Sequence, residues 1–432
     1  MDYARGLLGL IALVGFAFVF SSNRKAINWR LVGTGILLQI IFGLLINEFP
    51  AVKAGFEWVS EKFVLFLNFA EDGARFIFGD EMVNDQGTLG FVFAVKVLPT
   101  VIFFSTVTAG LYYLGILQKI VFGIAWIMAR TMRLSGAESL SAAGNIFLGQ
   151  TEAPLLVRPF VPTMTRSELM CLMTGGMATI AGGVLAAFVA FLGGGDPEME
   201  AKFAAYLLSA SVMNAPAAIV ISKIIIPETQ PDQINTDLKV SNETLGVNLI
   251  DALSRGAADG LKLALNIGGM LLAFIAVIYA INYFLGDFIG DITGLNSFIA
   301  ESTDGKFDKF SLEYILGQIF QVFAFVMGVE SKDALAVGSL LGQKTVINEF
   351  VAYLALADMK SEGILQPKSI IIATYALCGF SNFSSIAIQV GGIGGMAPNQ
   401  QGNLSKLGLR ALLAATIACM MTATIAGALF TD

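Results

Sequence analysis

The sequence predicts an all-α integral membrane protein with eight transmembrane helices, two opposed re-entrant hairpins and interfacial helices, arranged as an inverted-topology repeat. The composition gives the first reason, since 56% of the 432 residues are hydrophobic and only 14% are charged. Apolar runs of about 20 residues, long enough as helices to cross a bilayer, recur along the chain. Two shorter apolar stretches, each interrupted by polar residues, occupy matching positions in the two halves of the sequence.

Eight apolar stretches are predicted to cross the membrane completely. The first carries its cluster of positive charges after the apolar run and has no small-residue cleavage pattern, so we expect a retained helix and not a signal peptide. Lysine and arginine are concentrated in alternate loops, although Lys360 and Lys368 fall on the opposite side, and this bias places both termini outside. The spans are predicted near residues 3–21, 31–48, 90–116, 168–193, 203–226, 260–285, 369–392 and 409–430.

Residues 51–80 are predicted to form a helix that lies on the membrane. Charged side chains and large aromatic side chains recur in this segment at roughly helical spacing. A helix with one charged face and one aromatic face is typical of the interface between lipid headgroups and acyl chains. We therefore expect the segment to follow the surface of the bilayer rather than to cross it.

The stretch GQTEAPLLV, residues 149–157, interrupts the first short apolar segment. The run from Glu138 to Leu148 is about 11 residues long, which as a helix is roughly 16 Å, about half of the hydrocarbon thickness. Gly149 permits a sharp break, and Pro154 suits the first turn of a new helix because proline has no N–H to leave unpaired there. The chain is predicted to return to the side it left, which makes residues 138–160 a re-entrant hairpin open to the cytoplasm.

Residues 333–356 are predicted to form a second hairpin that repeats the first. A short apolar half-helix again ends at an LGQ break, at residues 341–343, which is followed by a polar tip and a second apolar half. The order of span, interfacial segment, hairpin, glycine-rich span and further span occurs in residues 90–226 and again in residues 260–430. The two units start on opposite sides, so the second hairpin opens to the outside and the units form an inverted repeat.

The repeat divides the chain into four predicted parts. Residues 1–116 form scaffold spans 1 to 3 with the interfacial helix, and residues 117–258 form the first half-repeat with hairpin 1 and spans 4 and 5. Residues 259–310 contain scaffold span 6 and an outer loop. Residues 311–432 form the second half-repeat with hairpin 2 and spans 7 and 8.

Several functional classes are disfavoured by what the sequence lacks. It has no histidine, its three cysteines lie in apolar stretches without metal-type spacing, and it has no basic stripe for nucleic acid. A membrane-embedded phosphatase needs a phosphate-binding cluster of arginine or histidine, and a passive channel needs a continuous polar stripe through one span. Inverted repeats with interrupted helices are typical of secondary transporters, so a transporter and not an enzyme is predicted.

Four polar islands, GQTEA, TVINEF, TGGMATIAGG and GFSNFSS, are expected to wall a midplane cavity, because backbone groups at that depth need protein or water around them. Gln150 and Glu349 offer donors and acceptors with no arginine at either tip, which suits an uncharged, multiply hydroxylated ligand. Taken alone, Glu152 also fits a charge at a helix N-terminus, and Asn382 and Ser385 fit contacts between helices. Another neutral polar solute is the alternative that these residues leave open.

The stretches GNIFLGQTEAPLLVRPF, GLKLALNIGGMLLAFIAVI, NEFVAY and ALCGFSNFSSIAI together resemble the concentrative nucleoside transporters, in particular their bacterial eight-span members. The order and spacing agree from about residue 5 to the end of the chain. The resemblance implies a homotrimer in the bacterial inner membrane, in which a scaffold holds independently moving transport domains. It also implies elevator-type alternating access and import of nucleosides such as uridine by symport with a cation.

The resemblance assigns substrate contacts to both repeats. The nucleobase contacts fall on the first hairpin tip and the helix that follows it, with one apolar neighbour in span 6. The ribose contacts fall on the second hairpin tip and the polar island after it. These residues are Gly149, Gln150, Thr151, Glu152, Val184 and Leu265 for the base, and Glu349, Phe380, Asn382 and Ser385 for the ribose.

A coupling-ion site beside the first hairpin tip is also implied by the resemblance. It consists of the side chains of Asn145 and Thr179 and the backbone carbonyls of Leu148 and Ile180. A set of oxygen ligands without a titratable group suits Na⁺, and we therefore expect Na⁺ as the coupling ion. A glutamate in either hairpin leaves proton coupling as the alternative.

Overall fold

A computed structural model describes residues 2–83, 92–238 and 246–429, and the regular structure within these ranges is helical throughout. This result confirms the predicted all-α class. The helices are numbered in chain order as α1 (Asp2–Val19), α2 (Trp29–Glu48), α3 (Pro50–Phe78), α4 (Asp80–Val83), α5 (Phe93–Tyr113), α6 (Ile116–Met132), α7 (Gly136–Gly144), α8 (Ala153–Leu156), α9 (Arg166–Ala178), α10 (Gly182–Gly193), α11 (Pro197–Ile225), α12 (Leu249–Asn282), α13 (Asp291–Thr293), α14 (Leu295–Ser302), α15 (Leu312–Val326), α16 (Ala334–Val346), α17 (Glu349–Ser361), α18 (Pro367–Leu377), α19 (Phe383–Met396) and α20 (Gln401–Leu429).

Six helical segments in the described ranges are long and apolar enough to cross a membrane. They coincide with six of the predicted spans, and the predicted first span corresponds to the shorter apolar helix α1. The number of complete crossings and the side on which the termini lie remain predictions. The six segments are Trp29–Glu48, Phe93–Tyr113, Arg166–Gly193, Pro197–Ile225, Leu249–Thr293 and Pro398–Leu429.

Two of these helices begin earlier than the apolar pattern predicts. The sequence places their starts near residues 203 and 260, but α11 and α12 begin at Pro197 and Leu249. The side chains of Asp196 and Asn248 accept hydrogen bonds from first-turn N–H groups, at 3.0 and 2.9 Å respectively. Capping side chains determine where a helix begins, while hydropathy identifies only the part that crosses hydrocarbon.

The segment predicted as an interfacial helix at about 51–80 is a single helix, α3. Pro50 lies in its first turn, and Gly79 ends it with a φ of +86°, a left-handed conformation that glycine adopts without steric cost. The helix packs against α5 and α11, and the rings of Phe66 and Phe103 lie 4.7 Å apart between α3 and α5. The helix is confirmed, and its position at the membrane surface remains a prediction.

Two of the predicted spans, at residues 168–193 and 369–392, each contain a helix break. The first is interrupted between α9 and α10, and the second between α18 and α19. Both interruptions meet at Asn214 of α11, whose side-chain amide donates to the carbonyl of Ala178 at 2.8 Å and to the carbonyl of Cys378 at 2.7 Å. Apolar composition conceals such breaks because buried polar side chains can satisfy the freed carbonyls.

The two predicted hairpins differ in their second halves. In hairpin 2, the break predicted at residues 341–343 is wrong, because α16 continues through them to Val346. It packs against α17, which continues beyond the predicted end at residue 356 to Ser361. In hairpin 1, the helix predicted to start at Pro154 is only the short α8, followed by turns. Pro159 and Pro162 explain this difference, because proline removes an amide donor and disfavours a helical residue before it. Re-entry of both hairpins from opposite sides remains a prediction.

The core of the described chain lies around α9, α11 and α20. Every residue of α9 from Ser167 to Ala178 is buried, and the cysteines of the chain, all three of which are described, are buried and free. By contrast, α5 and α12 pack against each other but leave most of their apolar surface exposed. Since α7 contacts α9 and α16 contacts α18, the hairpins are attached to the buried helices and their tips lie next to the core.

Candidate functional site

The tip of hairpin 2 is hydrogen-bonded to the break between α18 and α19. Asn348 caps the first turn of α17 by accepting from the N–H of Val351 at 3.0 Å, and this cap fixes the position of Glu349 as the first helical residue. The side-chain amide of Asn382 donates to the Glu349 carboxylate at 2.7 Å, and both side chains are 3% exposed. The remaining lone pairs of this carboxylate are available to accept from hydroxyl groups.

A continuous set of hydrogen bonds joins this pair to the tip of hairpin 1. Asn382 caps α19 by accepting from the N–H of Ser385 at 2.9 Å, and the Ser385 hydroxyl accepts from the Gln150 amide at 3.1 Å. The Gln150 carbonyl oxygen accepts from Gln389 at 3.2 Å. We call Glu349, Asn382, Ser385, Gln150 and Gln389 the polar bridge. It brings together residues separated by more than 200 positions in the chain, in both halves of the repeat.

The other predicted base contacts of hairpin 1 surround Gln150. Thr151 and Glu152 are exposed, and the Glu152 carboxylate folds back against Gly149, where an added Cβ would collide with it. The Thr151 methyl group approaches Gly392 of α19, 3.7 Å from the position of an added Cβ. The tip therefore presents a hydroxyl and a carboxylate on an accessible surface beside the buried polar bridge.

The three predicted apolar contacts differ in burial and in their distance from the polar bridge. Val184 in the first turn of α10 is buried, and Phe380 in the break before α19 is partly buried, with its N–H bonded to the Thr179 carbonyl at 3.4 Å. Leu265 is 64% exposed on α12. The described contacts bring Phe380 to the two interrupted helices, but they do not bring Leu265 to the polar bridge.

The predicted ion ligands lie beside the break between α9 and α10. Asn145 and Thr179 are each 1% exposed, and the Thr179 hydroxyl donates to the Gly175 carbonyl at 2.9 Å. Neither polar atom of the Asn145 side chain has a hydrogen-bond partner in the described part of the chain. A Cβ at Gly175 would lie 3.0 Å from the Asn145 amide nitrogen, so glycine leaves room for this side chain. Buried polar atoms without a partner are unfavourable unless a ligand satisfies them.

This donor set fits a monovalent hard cation. A side-chain amide oxygen, a hydroxyl oxygen and backbone carbonyls are oxygen donors without formal charge. No cluster of three or more His, Cys, Asp or Glu residues suited to a metal occurs in the described ranges, so a site of the zinc type is absent there. The Asn145 and Thr179 side chains therefore fit the predicted Na⁺ site, with Leu148 and Ile180 as its predicted carbonyl ligands.

Both hairpins are anchored at their bases by buried charged residues. At hairpin 1, Lys223 of α11 forms an ion pair with Glu138 and donates to the Ser167 hydroxyl at 2.8 Å. At hairpin 2, Asp333 pairs with Lys306 at 2.9 Å and accepts from the Gln366 N–H at 2.9 Å. Burial raises the pKa of the Asp333 carboxyl, but these donors outweigh it and hold the pKa below its usual value.

Sequence reasoning missed three residues of the site. Gln389 completes the polar bridge, Asn214 joins the two helix breaks, and the fully buried Lys344 donates from hairpin 2 to the Ala376 carbonyl at 2.9 Å. Each is a polar residue inside an apolar stretch. That pattern alone indicates a functional or structural polar contact at membrane depth, since such residues are costly to bury in lipid.

Three protein-family models match the chain. The model described as "Na+ dependent nucleoside transporter C-terminus" matches residues 206–427, and its N-terminal counterpart matches residues 8–81. A third model, described as "Nucleoside recognition", matches residues 94–195, which contain hairpin 1 and the predicted ion ligands. The description of the family confirms the expectation of Na⁺ at the level of the family.

Curated relatives have similar sequences over nearly the whole chain. "Uncharacterized transporter YutK" of Bacillus subtilis is 41% identical, with 99% of both chains covered. "Solute carrier family 28 member 3" of Eptatretus stoutii is 41% identical over 98% of this chain, and "Sodium/nucleoside cotransporter 1" of Mus musculus is 38% identical over 98% of this chain. The chain spans 60% and 63% of the lengths of these two animal relatives. Their names confirm the prediction of a transporter and not an enzyme.

Solved structures of one protein, CNTnw, share the fold. Its inward-facing substrate-bound state has a TM-score of 0.88 at 37% identity, covering 99% of this chain and 98% of that chain. A variant of CNTnw in an outward-facing state has a TM-score of 0.88 at 36% identity with the same coverage. The fold of the described chain is therefore similar to that of a protein solved with both orientations of access.

Proposed function

Since the chain belongs to the Na⁺-dependent nucleoside transporter family, we propose that it imports nucleosides across the bacterial inner membrane by Na⁺ symport. The observation that carries this proposal is the polar bridge between the two hairpin tips. Its carboxylate, amides and hydroxyl suit a neutral ligand with several hydroxyl groups, and it contains no arginine that would favour an anion.

The two hairpin tips are proposed to contact different parts of the nucleoside. Glu349, Asn382 and Ser385 accept from and donate to the ribose hydroxyls, with Phe380 beside them. The nucleobase lies over hairpin 1, against the residues Gly149, Gln150, Thr151, Glu152 and Val184. Leu265, which is exposed on α12, reaches the base only if the hairpins move relative to that helix.

Na⁺ couples to the substrate through the tip of hairpin 1 in this proposal. Asn145 and Thr179 bind the ion together with the carbonyls of Leu148 and Ile180, so that the ion is coordinated by oxygen atoms without formal charge. Asn145 lies five residues before Gln150 in the same hairpin tip. Ordering of Asn145 by the ion therefore orders Gln150, which lowers the entropic cost of binding the base.

Alternating access is proposed to be of the elevator type. The hairpins pack on α9 and α18 within the buried core, whereas α5 and α12 pack against each other and leave most of their apolar surface exposed. The core then moves as one body, and the exposed surface contacts lipid and two further copies of the chain in a homotrimer. Eight crossings, opposed re-entrant hairpins and termini on the periplasmic side complete this proposal.

Uptake of radiolabelled uridine into proteoliposomes tests the proposed function. With an inward Na⁺ gradient, the vesicles are expected to accumulate uridine against its concentration gradient, because the ion gradient drives the symport. Without the gradient, uridine should only equilibrate. Flat uptake under both conditions would contradict the proposal, stimulation by a proton gradient alone would support proton coupling, and uptake of an amino acid but not uridine would indicate another polar solute.

Replacement of Asn145 by alanine is expected to weaken Na⁺ dependence. Loss of one oxygen ligand should raise the Na⁺ concentration for half-maximal uridine uptake about tenfold or more. The same variant should lose the increase in thermal stability that Na⁺ gives the wild-type protein in the absence of nucleoside. Asn235→Ala, at an exposed asparagine in the linker before α12, is the matched control. An unchanged Na⁺ titration for Asn145→Ala would remove Asn145 from the ion site.

A further inference from the structure

Lys344 is a buried cation within hairpin 2. It lies near the end of α16, its side chain is 1% exposed, and its ammonium group donates to the carbonyl of Ala376 at 2.9 Å. Ala376 belongs to the last turn of α18, whose carbonyls have no partners within that helix. The neighbouring carbonyl of Thr374 accepts from the Tyr353 hydroxyl of the same hairpin at 2.7 Å. Side chains of hairpin 2 thus donate hydrogen bonds to carbonyls in the last turn of α18.

The hairpin tip that Lys344 anchors also carries the carboxylate proposed to bind ribose. Glu349 follows Lys344 by five residues in the same hairpin tip, both side chains are buried, and the Glu349 carboxylate accepts from Asn382 at 2.7 Å. A buried ammonium and a buried carboxylate stabilise each other, and removal of one leaves the other without a counter-charge. Anchoring of Lys344 to α18 therefore also restricts where the Glu349 carboxylate lies.

The two halves of the repeat place a cation-binding feature in corresponding positions. In the first half, the orphaned side chain of Asn145 and the Thr179 hydroxyl lie where α9 ends, next to the tip of hairpin 1. In the second half, the Lys344 ammonium lies where α18 ends, next to the tip of hairpin 2. The negative end of a helix dipole favours positive charge in both places. The first half can bind an exchangeable ion at this position, whereas the cation of the second half is the side chain of Lys344.

We propose that Lys344 is a positioning residue that fixes the tip of hairpin 2 to α18 and holds Glu349 as the acceptor for substrate hydroxyl groups. This proposal rests on the proposed function. Lys344 does not contact the substrate, and it acts through Glu349. Its contribution should therefore depend on whether the ligand carries ribose hydroxyls.

Equilibrium binding of two nucleosides to the purified protein in saturating Na⁺ tests this proposal. Lys344→Met should weaken binding of uridine about tenfold or more, because the tip that carries Glu349 loses its charge-assisted hydrogen bond to the Ala376 carbonyl of α18. It should change binding of 2′,3′-dideoxyuridine less than about threefold, because that ligand has no hydroxyl for Glu349. Lys332→Met, at an exposed lysine before the same hairpin, is the matched control and should leave both affinities unchanged.

An equal loss for both nucleosides, or no loss for uridine, would overturn the proposal. If the unpaired Glu349 prevents folding of Lys344→Met, the double variant with Glu349→Gln provides the test, because no buried charge is then left alone. Addition of Lys344→Met to Glu349→Gln should change dideoxyuridine binding less than about threefold. A larger change would show that Lys344 acts independently of Glu349. Failure of the wild-type protein to bind uridine would instead contradict the proposed function.

Discussion

Replacement of Glu349 by glutamine is expected to reduce uridine uptake about 100-fold. The carboxylate is buried, has one hydrogen bond from Asn382, and is proposed to accept from two ribose hydroxyls. A hydrogen bond to a charged group contributes about 1.5–3 kcal/mol, and each 1.4 kcal/mol corresponds to about tenfold in affinity. Glutamine has almost the same shape, but its amide nitrogen cannot accept. The loss should therefore be specific to ligands with ribose hydroxyls.

Uptake of uridine and of 2′,3′-dideoxyuridine into proteoliposomes measures this effect. Glu362→Gln is the matched control, because Glu362 is exposed at the end of the same helix, α17. Glu349→Ala should show the same selective loss with the same oligomeric state in size-exclusion chromatography. Uridine uptake by Glu349→Gln within threefold of the wild-type value would contradict the assignment of ribose to this carboxylate.

The residues that carry the site were predictable because they are polar in apolar surroundings. Gln150 and Glu349 stand out within short apolar segments, and the structure joins their two hairpin tips through Asn382 and Ser385. The repeat is visible because each half contains a short apolar segment that is interrupted by polar residues. Hydrophobic periodicity and length were sufficient for most helices, since both follow directly from the thickness of the bilayer.

The helix breaks could not be predicted in the same way. The glycine, serine and threonine residues around Ala178 and Cys378 also occur within continuous membrane helices, and the side chain that satisfies each break comes from a distant helix. Asn214 satisfies a carbonyl from each half, so the cause of both breaks is tertiary. Gln389 was missed for a similar reason, because it lies more than 200 residues from Gln150 in the sequence. Single-sequence patterns report local preference, and long-range partners override it.

Buried charged side chains at the base of hairpin 1 hold together the part of the protein that is proposed to move. Lys223 of α11 lies between Glu138 of α7 and Ser167 of α9, and Glu138 and Glu168 each complete a capping box at the start of their helices. The base of hairpin 1 thus contains two buried acidic residues, Glu138 and Glu168, and one buried basic residue, Lys223. This arrangement attaches the hairpin to two core helices, as the proposed movement of hairpin and core as one body requires.

Replacement of Lys223 by methionine is therefore expected to destabilise the protein by about 3–5 kcal/mol, because the buried Glu138 carboxylate loses its counter-charge. Thermal unfolding in detergent measures the change. Lys406→Met, at an exposed lysine of α20, is the matched control and should have no measurable effect. The double variant Lys223→Met/Glu138→Gln should recover much of the lost stability, since removal of both partners leaves no unpaired ion in that contact. If Lys223→Met is as stable as Lys406→Met, the ion pair does not hold the hairpin. If the double variant is no more stable than the single variant, the loss arises from packing of the lysine side chain and not from its charge.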